Sequence, residues 1–351
     1  MDKVKGKKIF VGMSGGVDSS VSALLLKQEG YDVTGVFIKV WQPDFVECTW
    51  KEDRLDAMRV CAQLEIPFVT LDLEKEYKRE VIDYMIDEYK VGRTPNPDVM
   101  CNRYVKFGAF WDWAKDNGAD FIATGHYANT DNQNLIVSKD KNKDQTYFLW
   151  TLNKNDLEHI LFPIGNMEKS KVRKIAEKNN IYTSHKKDSQ GLCFIGTIDI
   201  KDFLKSQIES QKGNIVNENG NVIGHHEGVI FYTIGERHGF TITEKSTEEK
   251  PYFIVAKDFE NNLLVVSHHK PEEKVGDEFE IEKVNFVNDR VEEEKTYSAR
   301  ARYRAPLSKI KIRNENGKWI VKKVEGDLVP VSGQSLVIYD NEKCIGGGII
   351  L

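Results

Sequence analysis

A glycine- and serine-rich turn joins an apolar run to an amphipathic segment near the start of the chain, in "KKIFVGMSGGVDSSVSALLLKQEG" (Lys7 to Gly30). Ile9–Val11 have the composition of a strand buried on both faces of a parallel sheet. Apolar residues from Val21 to Leu25 are spaced for one face of a helix, which Gly30 ends. A strand, a tight turn and a helix in this order predict the start of a parallel α/β sheet.

The turn itself has the composition of a phosphate-binding loop. Gly12, Gly15 and Gly16 permit positive φ and the close approach of another group to the backbone. Successive amides at the positive end of a helix bind anions. Hydroxyl groups and one carboxylate that can reach Mg²⁺ come from Ser14, Asp18, Ser19 and Ser20. The alternative is a tight turn without a ligand, and the stretch fits neither the P-loop nor the dinucleotide fingerprint.

Length and composition limit the remaining possibilities. A chain of 351 residues is expected to form two or three domains. Its five cysteines are an odd number, so a structural disulfide framework is not expected. The N-terminal "MDKVKGKK" carries no targeting signal and no apolar run approaches ~20 residues, which predicts a cytoplasmic protein that does not engage a membrane. A net charge of −5 argues against indiscriminate nucleic-acid binding.

The pattern of apolar residues changes twice along the chain. Up to about Gly125, strand and helix patterns alternate, as in a doubly wound parallel sheet, and we expect this domain to run to residue 196. Residues 197–271 combine one helix with hairpin signals and predict a small mixed central domain. Residues 272–351 consist of short strand patterns and predict an antiparallel β-barrel. We therefore expect three domains with boundaries near Gly196 and Pro271.

Two polar segments each contain a cysteine. "GRTPNPDVMCN" (Gly92–Asn102) contains two prolines and is predicted to be an ordered loop, and "KKDSQGLCFIG" (Lys186–Gly196) is a second such loop. Cys101 and Cys193 lie in these loops among polar and basic residues, where thiolate character is favoured. The default of a buried small hydrophobe applies to Cys48, Cys61 and Cys344.

Three further segments contain polar residues that are candidates for contacts with a ligand or with nucleic acid. In "ATGHYAN", Gly125 and His126 follow a predicted strand, at the sheet edge where ligands bind. "KDQTYFLW" (Lys143–Trp150) offers three polar residues, although it also fits a capped element with core aromatics. In "SARARYRAPLSKIKIR", strand alternation puts Arg300, Arg302 and Arg304 on one face, suited either to a phosphate backbone or to solvent.

Taken together, these motifs closely resemble the tRNA-specific 2-thiouridylases (the MnmA/TrmU-like family) of the ATP-pyrophosphatase superfamily. The resemblance covers nearly the whole chain and rests on "GMSGGVDSS", "GRTPNPDVMCN", "ATGHYA", "KDQTYFLW", "KKDSQGLCFIG", "YTIGERHG", "RARYR" and "SGQSLVIYD". Superfamily relatives such as GMP synthetase lack the pairing of the two cysteine loops. The resemblance implies that ATP adenylates the C2 oxygen of the wobble uridine, in tRNAs for Lys, Glu and Gln, before sulfur replaces it.

The resemblance also assigns site residues. It implies ATP contacts from Gly12, Met13, Ser14, Gly15, Gly16, Val17, Asp18, Ser19, Ile38 and Gly125, with Asp18 as a Mg²⁺ ligand. It implies tRNA contacts from Asn96, Pro97, Asp98, His126, Lys143, Asp144, Gln145, Arg302, Tyr303, Arg304 and Gln334, with Asn96 and Asp98 at the target base. It implies catalytic roles for Cys101 (nucleophile), Cys193 (persulfide carrier) and Asp98. Glu236 and His238 depart from the family's commoner Gln and Lys.

The implied chemistry is coherent on its own terms. A uridine oxygen is a poor leaving group until ATP adenylates it. Sulfur then attacks C2 as a persulfide or hydrosulfide, AMP leaves, and a second thiol resolves the spent carrier. Sulfur would come from a cysteine desulfurase or a relay protein. Two other functions stay open: an amidating synthetase of the same superfamily, for which the sequence offers no glutaminase motif, and a non-catalytic RNA-binding relative.

Overall fold

The computed structural model describes residues 6–43, 50–187, 200–243, 250–271, 276–288 and 291–351. The first domain alternates strands and helices: β1 Lys8–Gly12, α1 Val17–Glu29, β2 Asp32–Lys39, α2 Trp50–Gln63, β3 Phe68–Asp72, α3 Glu74–Tyr77, α4 Tyr84–Lys90, α5 Pro97–Met100, α6 Phe110–Asp116, β4 Phe121–Ala123, β5 Ala128–Thr130, β6 Leu135–Val137, α7 Lys154–Leu157, β7 Ile160–Leu161 and α8 Lys169–Lys178. π-helical turns at Lys78–Asp83 and Cys101–Ala109 join α3 to α4 and α5 to α6.

The sheet of this domain is parallel, in the order β3-β2-β1-β4-β7. Ile9 and Val11 of β1 pack into one core cluster while Phe10 packs into the other, so β1 is buried on both faces as predicted. The chain builds β2 and β3 on one side of β1 and then returns to place β4 on the other side. The carboxyl ends of β1 and β4 therefore form the switch point of a doubly wound sheet, where ligands of this architecture bind.

The central domain contains α9 Ile200–Gln207 and a mixed sheet of β8 Gly213–Asn217, β9 Val222–His226, β10 Thr241–Ile242, β11 Phe253–Asp258 and β12 Leu263–Ser267. Its strand order is β10-β9-β8-β12-β11, and only the β8–β12 pair is parallel. The hairpin predicted from "NENGNVIG" is confirmed by the antiparallel β8–β9 pair.

The C-terminal domain is a closed antiparallel barrel of β13 Glu278–Phe286, β14 Tyr297–Arg300, β15 Ser308–Glu315, β16 Lys318–Glu325, β17 Ser335–Asp340 and β18 Lys343–Ile350. Its order is β13-β16-β15-β14-β17-β18, and pairing of β13 with β18 closes the barrel. The predicted fold class is thus confirmed. The predicted boundary at Gly196 lies outside the described residues, and the exact domain limits stay a prediction.

The first domain and the barrel share hydrogen-bonded strands. Strand β6 pairs with β18, opposing Ile136 to Lys343 and Leu135 to Cys344, so the β5–β6 hairpin extends the sheet of the barrel. Below this junction the carboxylate of Asp144 is buried and accepts hydrogen bonds from the Ser138 amide (2.9 Å) and the Thr146 hydroxyl (2.7 Å). The two domains therefore form one continuous structure at this junction.

Two local predictions are wrong. "GRTPNPDVMCN" is not a loop throughout, because α5 begins at Pro97, and the Asn96 side chain accepts a hydrogen bond from the Val99 amide as the helix cap. Proline is tolerated in the first helical position, where its missing N–H is not needed. The strand through "SARARYR" ends at Arg300, so Arg302 and Arg304 do not share a strand face with it.

None of the described helices is both long and apolar enough to cross a membrane.

We predict that Asp144→Ala lowers the free energy of unfolding by about 1–3 kcal/mol, because it leaves the buried Ser138 amide without its acceptor. Asp144→Asn should cost less at neutral pH, since it keeps an oxygen acceptor and removes a buried charge. Urea denaturation measures both variants, and Asp327→Ala at an exposed position is the control. Equal stability of the two Asp144 variants and wild type would contradict the junction's importance.

The difference in stability between wild type and Asp144→Asn should depend on pH. Burial raises the pKa of Asp144, so the native state binds this proton more tightly than the unfolded chain does. The cost of the buried charge is present above the folded pKa and absent below the ordinary aspartate value. The stability of wild type relative to Asp144→Asn should therefore improve as the pH is lowered.

Candidate active site

The turn between β1 and α1 is shaped by its own serine side chains. The Ser19 hydroxyl accepts a hydrogen bond from the Ser14 amide and donates to the Gly16 carbonyl, both at 3.2 Å. Gly15 has a φ of +73°, in the left-handed region that glycine adopts without strain. Val17–Ser19 form the first turn of α1, so the positive end of a 13-residue helix lies at the turn. The geometry is that of an anion-binding loop.

Glycines allow two backbone segments to pack against this loop. A side chain at Gly15 would collide with the Asp53 carbonyl at the start of α2. A Cβ at Gly125, just after β4, would lie 2.7 Å from the Ser19 amide nitrogen and 2.8 Å from the Asp18 carbonyl carbon. The structure thus brings the predicted Gly12–Ser19 loop and Gly125 together at the switch point. Ile38, also predicted, is buried near the end of β2.

Asp18 is held by two residues that the sequence did not reveal. Its carboxylate accepts two hydrogen bonds from the Lys169 ammonium, at 2.8 and 2.7 Å, and one from the Tyr127 hydroxyl at 2.9 Å. Lys169 opens α8, about 150 positions away in the chain, and no motif marks it. Tyr127 adjoins the predicted His126, so a closer reading of "ATGHYAN" could have included it. A lysine and a carboxylate therefore meet at the phosphate loop.

The described residues can supply Mg²⁺ with a single carboxylate ligand at the phosphate loop. Within the part of the chain that the structure describes, no group of three or more His, Cys, Asp or Glu is placed to hold a metal ion. Mg²⁺ commonly binds one or two carboxylates while phosphates and water supply its other ligands. Asp18 can serve as that single carboxylate, so the predicted ligand fits an ion that arrives with a phosphate-bearing substrate.

His126 is an interior side chain. Its Nδ1 lies 2.7 Å from the Thr124 hydroxyl, and its ring packs on Phe107 and Phe162 with centroid distances of 5.7 and 6.4 Å. Burial, together with the nearby Lys106 charge, holds the pKa of His126 well below its usual range, so the imidazole is neutral at physiological pH. Like Asp144, His126 is less than 10% exposed, and neither side chain faces solvent in this conformation.

A strip of contacts leads from the phosphate loop to the barrel. The Tyr127 amide donates to the Gln145 side chain at 2.9 Å, and the Gln145 amide donates to the Tyr127 carbonyl at 2.8 Å. Two residues further on, the buried Tyr147 hydroxyl donates to the carbonyls of Ala301 (3.1 Å) and Ser335 (3.0 Å) in the barrel. The Asn96 side chain also hydrogen-bonds Tyr147. Residues 127 to 147 thus link the phosphate loop to Asn96 and to the barrel.

The basic segment of the barrel lies beside this strip. Tyr303 packs on Phe148 with a centroid distance of 4.5 Å, and the Arg304 guanidinium lies 5.0 Å from the centre of the Tyr303 ring. Arg302 and Arg304 are both exposed, and Arg302 also donates to the Ile234 carbonyl of the central domain at 2.7 Å. Although the arginines do not share a strand, two cations and an aromatic ring are still presented together.

The cysteines fall into two groups. Cys101 is fully buried at the start of the π-helical turn that follows α5, so the expectation of a thiol in a polar loop is wrong for this conformation. Cys61 and Cys344 are buried as predicted, and burial raises the pKa of each thiol to about 12, which makes both unreactive. Cys48 and Cys193 lie outside the described residues.

Comparison with known proteins adds to this geometry. The chain matches three family models: "tRNA methyl transferase HUP domain" over residues 7–197, "tRNA methyl transferase PRC-barrel domain" over 201–268 and "Aminomethyltransferase beta-barrel domain" over 276–350. The tRNA-specific 2-thiouridylase MnmA of Streptococcus thermophilus is 44% identical over 355 residues, 98% of this chain and 95% of that protein. The tRNA-specific 2-thiouridylase MnmA of Francisella tularensis subsp. holarctica is 44% identical over 359 residues, 99% and 100% of the two chains. This chain belongs to the tRNA-specific 2-thiouridylase family.

One match among solved structures is more distant from this family member. The U34-tRNA thiolase NcsA from Methanococcus maripaludis is 18% identical with a TM-score of 0.37, covering 59% of this chain and 68% of that one. Similarity this low has no bearing on the activity of the chain.

The structure pairs Glu236, where the resemblance implies a commoner Gln, within the central domain. The Glu236 carboxylate pairs with the Lys201 ammonium of α9 at 2.5 Å and accepts a hydrogen bond from the Thr233 amide at 3.0 Å. His238 accepts a hydrogen bond from the Arg237 side chain at 3.1 Å. The negative charge at position 236 is therefore used inside the central domain.

We predict that Gly125→Ala destabilises the protein by about 1–3 kcal/mol, because the added Cβ overpacks the backbone of α1 at the phosphate loop. Gly12→Ala in the same site is the matched control, since its Cβ would meet neighbours only at ordinary distances of 3.6 to 3.8 Å. Urea denaturation compares the two variants. Equal stabilities would show that the contact at Gly125 is not as close as described.

Proposed function

We propose that this protein is an ATP-dependent tRNA uridine 2-sulfurtransferase, which adenylates the C2 oxygen of the wobble uridine and replaces it with sulfur. The observation that carries the proposal is 44% identity over nearly the full length of proteins named tRNA-specific 2-thiouridylase. A phosphate-type loop at the switch point of the sheet supports the use of a nucleotide. The models named for methyl transfer make methylation the second candidate.

ATP phosphates would bind the amides of Gly12–Ser19, with Gly125 leaving room at the adjoining strand end. Lys169 lies 2.7 Å from Asp18 and is the cation best placed to accompany phosphates as they enter the loop. Asp18 would hold Mg²⁺ when the ion arrives with ATP, and the ion would neutralise charge on the transferred phosphates. If ATP and Mg²⁺ separate Asp18 from Lys169 on binding, the Asp18 carboxylate would be available to the metal and the Lys169 ammonium to the phosphates.

The tRNA would lie across the exposed cations beside the strip. Arg302 and Arg304 present guanidinium groups suited to a phosphate backbone, and Tyr303 offers a ring for stacking. Further contacts are proposed from Lys143, Gln145 and Gln334. Asn96 and Asp98 would hold the target base once it leaves the anticodon stack, with Pro97 as a further tRNA contact. The proposed substrates are tRNAs for Lys, Glu and Gln.

Sulfur transfer would use the two cysteines of the motif segments. The terminal sulfur of a Cys193 persulfide attacks C2 of the adenylated uridine, and AMP leaves with the original oxygen. The Cys101 thiolate then attacks the Cys193 sulfur, which releases the thiolated tRNA and forms a Cys101–Cys193 disulfide. Two electrons from an external thiol must reduce this disulfide before the next cycle. Since Cys101 is buried at rest, its segment must move during turnover.

The experiment that tests the proposal incubates the purified protein with ATP, Mg²⁺, unmodified tRNA and a persulfide source. Release of AMP and pyrophosphate together with a nucleoside that has exchanged oxygen for sulfur is the expected result. The mass of the product separates thiolation from methylation. Adenylation of a small molecule without tRNA would favour the amidating synthetase, and RNA binding without AMP formation would favour the non-catalytic relative. A cysteine desulfurase and a relay protein are compared as donors.

We predict that Asp18→Ala lowers AMP formation at least ~10²-fold, because the loop loses its Mg²⁺ ligand and the partner of Lys169. The dissociation constant for tRNA should stay within about twofold, since Asp18 lies away from the exposed cations. Glu29→Ala at the other end of α1 is the control for a charge lost from the same helix. AMP formation at the wild-type rate would remove Asp18 from the site.

We predict that substitutions of the two cysteines block sulfur transfer at different steps. Cys193→Ser should still adenylate the tRNA and release pyrophosphate but give no thiolated product with a protein-bound persulfide donor. Cys101→Ser should carry a persulfide on residue 193 and stall before product release. Mass spectrometry of trapped turnover mixtures detects both states, with Cys344→Ser as a control at a buried thiol. Persulfide found on Cys48, Cys61 or Cys344 and not on Cys193 would contradict the scheme.

A further inference from the structure

The segment between α4 and α5 is held by side chains and backbone from all three domains. It covers Val91 to Asn96, ends at the cap of the helix that leads to Cys101, and includes Gly92, Arg93 and Thr94. Each of these three residues contacts a different strand or loop outside the first domain. We call residues 92–94 the anchor.

The barrel holds the anchor from one side. The Thr94 amide donates to the Ser332 carbonyl at 2.9 Å, and the Gln334 side chain donates to the Thr94 carbonyl at 2.7 Å. Gly333 lies between them with a φ of +89°, and a Cβ there would come within 2.7 Å of the Thr94 nitrogen. The Arg93 guanidinium also pairs with Glu282 of β13 at 2.6 Å. The barrel therefore holds Thr94 through hydrogen bonds to the Thr94 backbone amide and carbonyl.

The central domain holds the anchor from the other side, chiefly through Lys257. The Lys257 ammonium, at the end of β11, donates to the Gly92 carbonyl at 2.9 Å and to the Tyr232 carbonyl at 2.8 Å. It also lies 5.0 Å from the centre of the Phe259 ring, which packs directly on Gly92. The Thr233 hydroxyl adds a 3.1 Å hydrogen bond to the Thr94 hydroxyl.

The environment of Lys257 is costly for a cation. Burial lowers the pKa of this ammonium to about 8, and the acid that opposes the shift is Glu236, which is itself paired with Lys201. A buried ammonium is tolerated where hydrogen bonds to it are well formed. The two hydrogen bonds of the Lys257 ammonium go to carbonyls of different domains. This charged group therefore links the central domain to the anchor.

We propose that Lys257 is a positioning residue for the segment Asn96–Cys101, and that the central domain acts in the reaction by holding the anchor. This inference rests on the proposed function of that segment. Gly92 lies four residues before the helix cap, so fixing its carbonyl limits where Asn96 and Asp98 can stand. Small displacements of positioning groups lower the rate of a reaction strongly without changing the affinity for substrate.

The test uses Lys257→Met, which keeps the apolar stem and removes the donors, and Lys257→Arg, which restores donors. Lys212→Met, on an exposed lysine of the same domain, is the matched control. Single-turnover AMP formation is measured at saturating tRNA with a persulfide source present, together with the tRNA dissociation constant. Hydrogen exchange of the amides of residues 92–101 is followed without substrate.

Lys257→Met should lower the rate about tenfold, with a tRNA dissociation constant within about twofold of wild type. Exchange should quicken at residues 92–101 and not across the first domain as a whole, and Lys257→Arg should recover part of the rate. An unchanged rate, or a loss confined to tRNA affinity, would overturn the proposal. If Lys257→Met does not fold, Thr233→Val removes the other side-chain link and is judged by the same measurements.

Failure of the proposed function would look different. In that case wild type itself would form no AMP from ATP and tRNA in the presence of a persulfide source. The exchange experiment needs no substrate and would still decide whether Lys257 holds the anchor. Exchange at residues 92–101 that is equal in wild type and Lys257→Met would overturn the positioning role under either outcome.

Discussion

The close contact between Gly125 and the first turn of α1 sets the geometry on which the proposed site depends. With a Cβ only 2.7 Å from the Ser19 nitrogen, no other residue type fits there without moving the loop. The contact fixes the chain that leaves β4, and two residues later Tyr127 donates to Asp18 and bridges to Gln145. Tyr147 follows and contacts the barrel. The phosphate loop and the proposed tRNA surface are therefore connected through one short stretch.

Local sequence was sufficient to predict the parts of the fold that local physics decides. Apolar periodicity and turn residues predict the β1–turn–α1 unit, the hairpin at β8–β9 and the short antiparallel strands of the C-terminal barrel. Sequence reasoning misses the helix at Pro97 because prolines disfavour helix interiors, whereas this proline stands at the first helical position. Alternation could show neither that β14 stops at Arg300 nor that Arg304, with a φ of +61°, lies in the left-handed region, which strand residues do not adopt.

The site was predicted less completely than the fold, for a physical reason. Motif residues near the loop were found because they are close in sequence, but Lys169 reaches Asp18 only through the packing of α8 on α1. The sequence also does not show which side chains are buried. His126, Asp144 and Cys101 are polar or reactive residues in polar stretches, yet all three are interior. A single sequence reports residue type and spacing, whereas exposure depends on which domains cover a segment.

The central claim is that the C2 oxygen of uridine becomes the leaving group through adenylation. It is tested most directly with tRNA whose wobble uridine carries a heavy oxygen isotope at C2, incubated with the protein, ATP and a persulfide source. The account predicts that every thiolated tRNA is matched by one AMP that carries the heavy oxygen. Heavy oxygen that stays in the tRNA, or that appears in water while AMP is unlabelled, would contradict it.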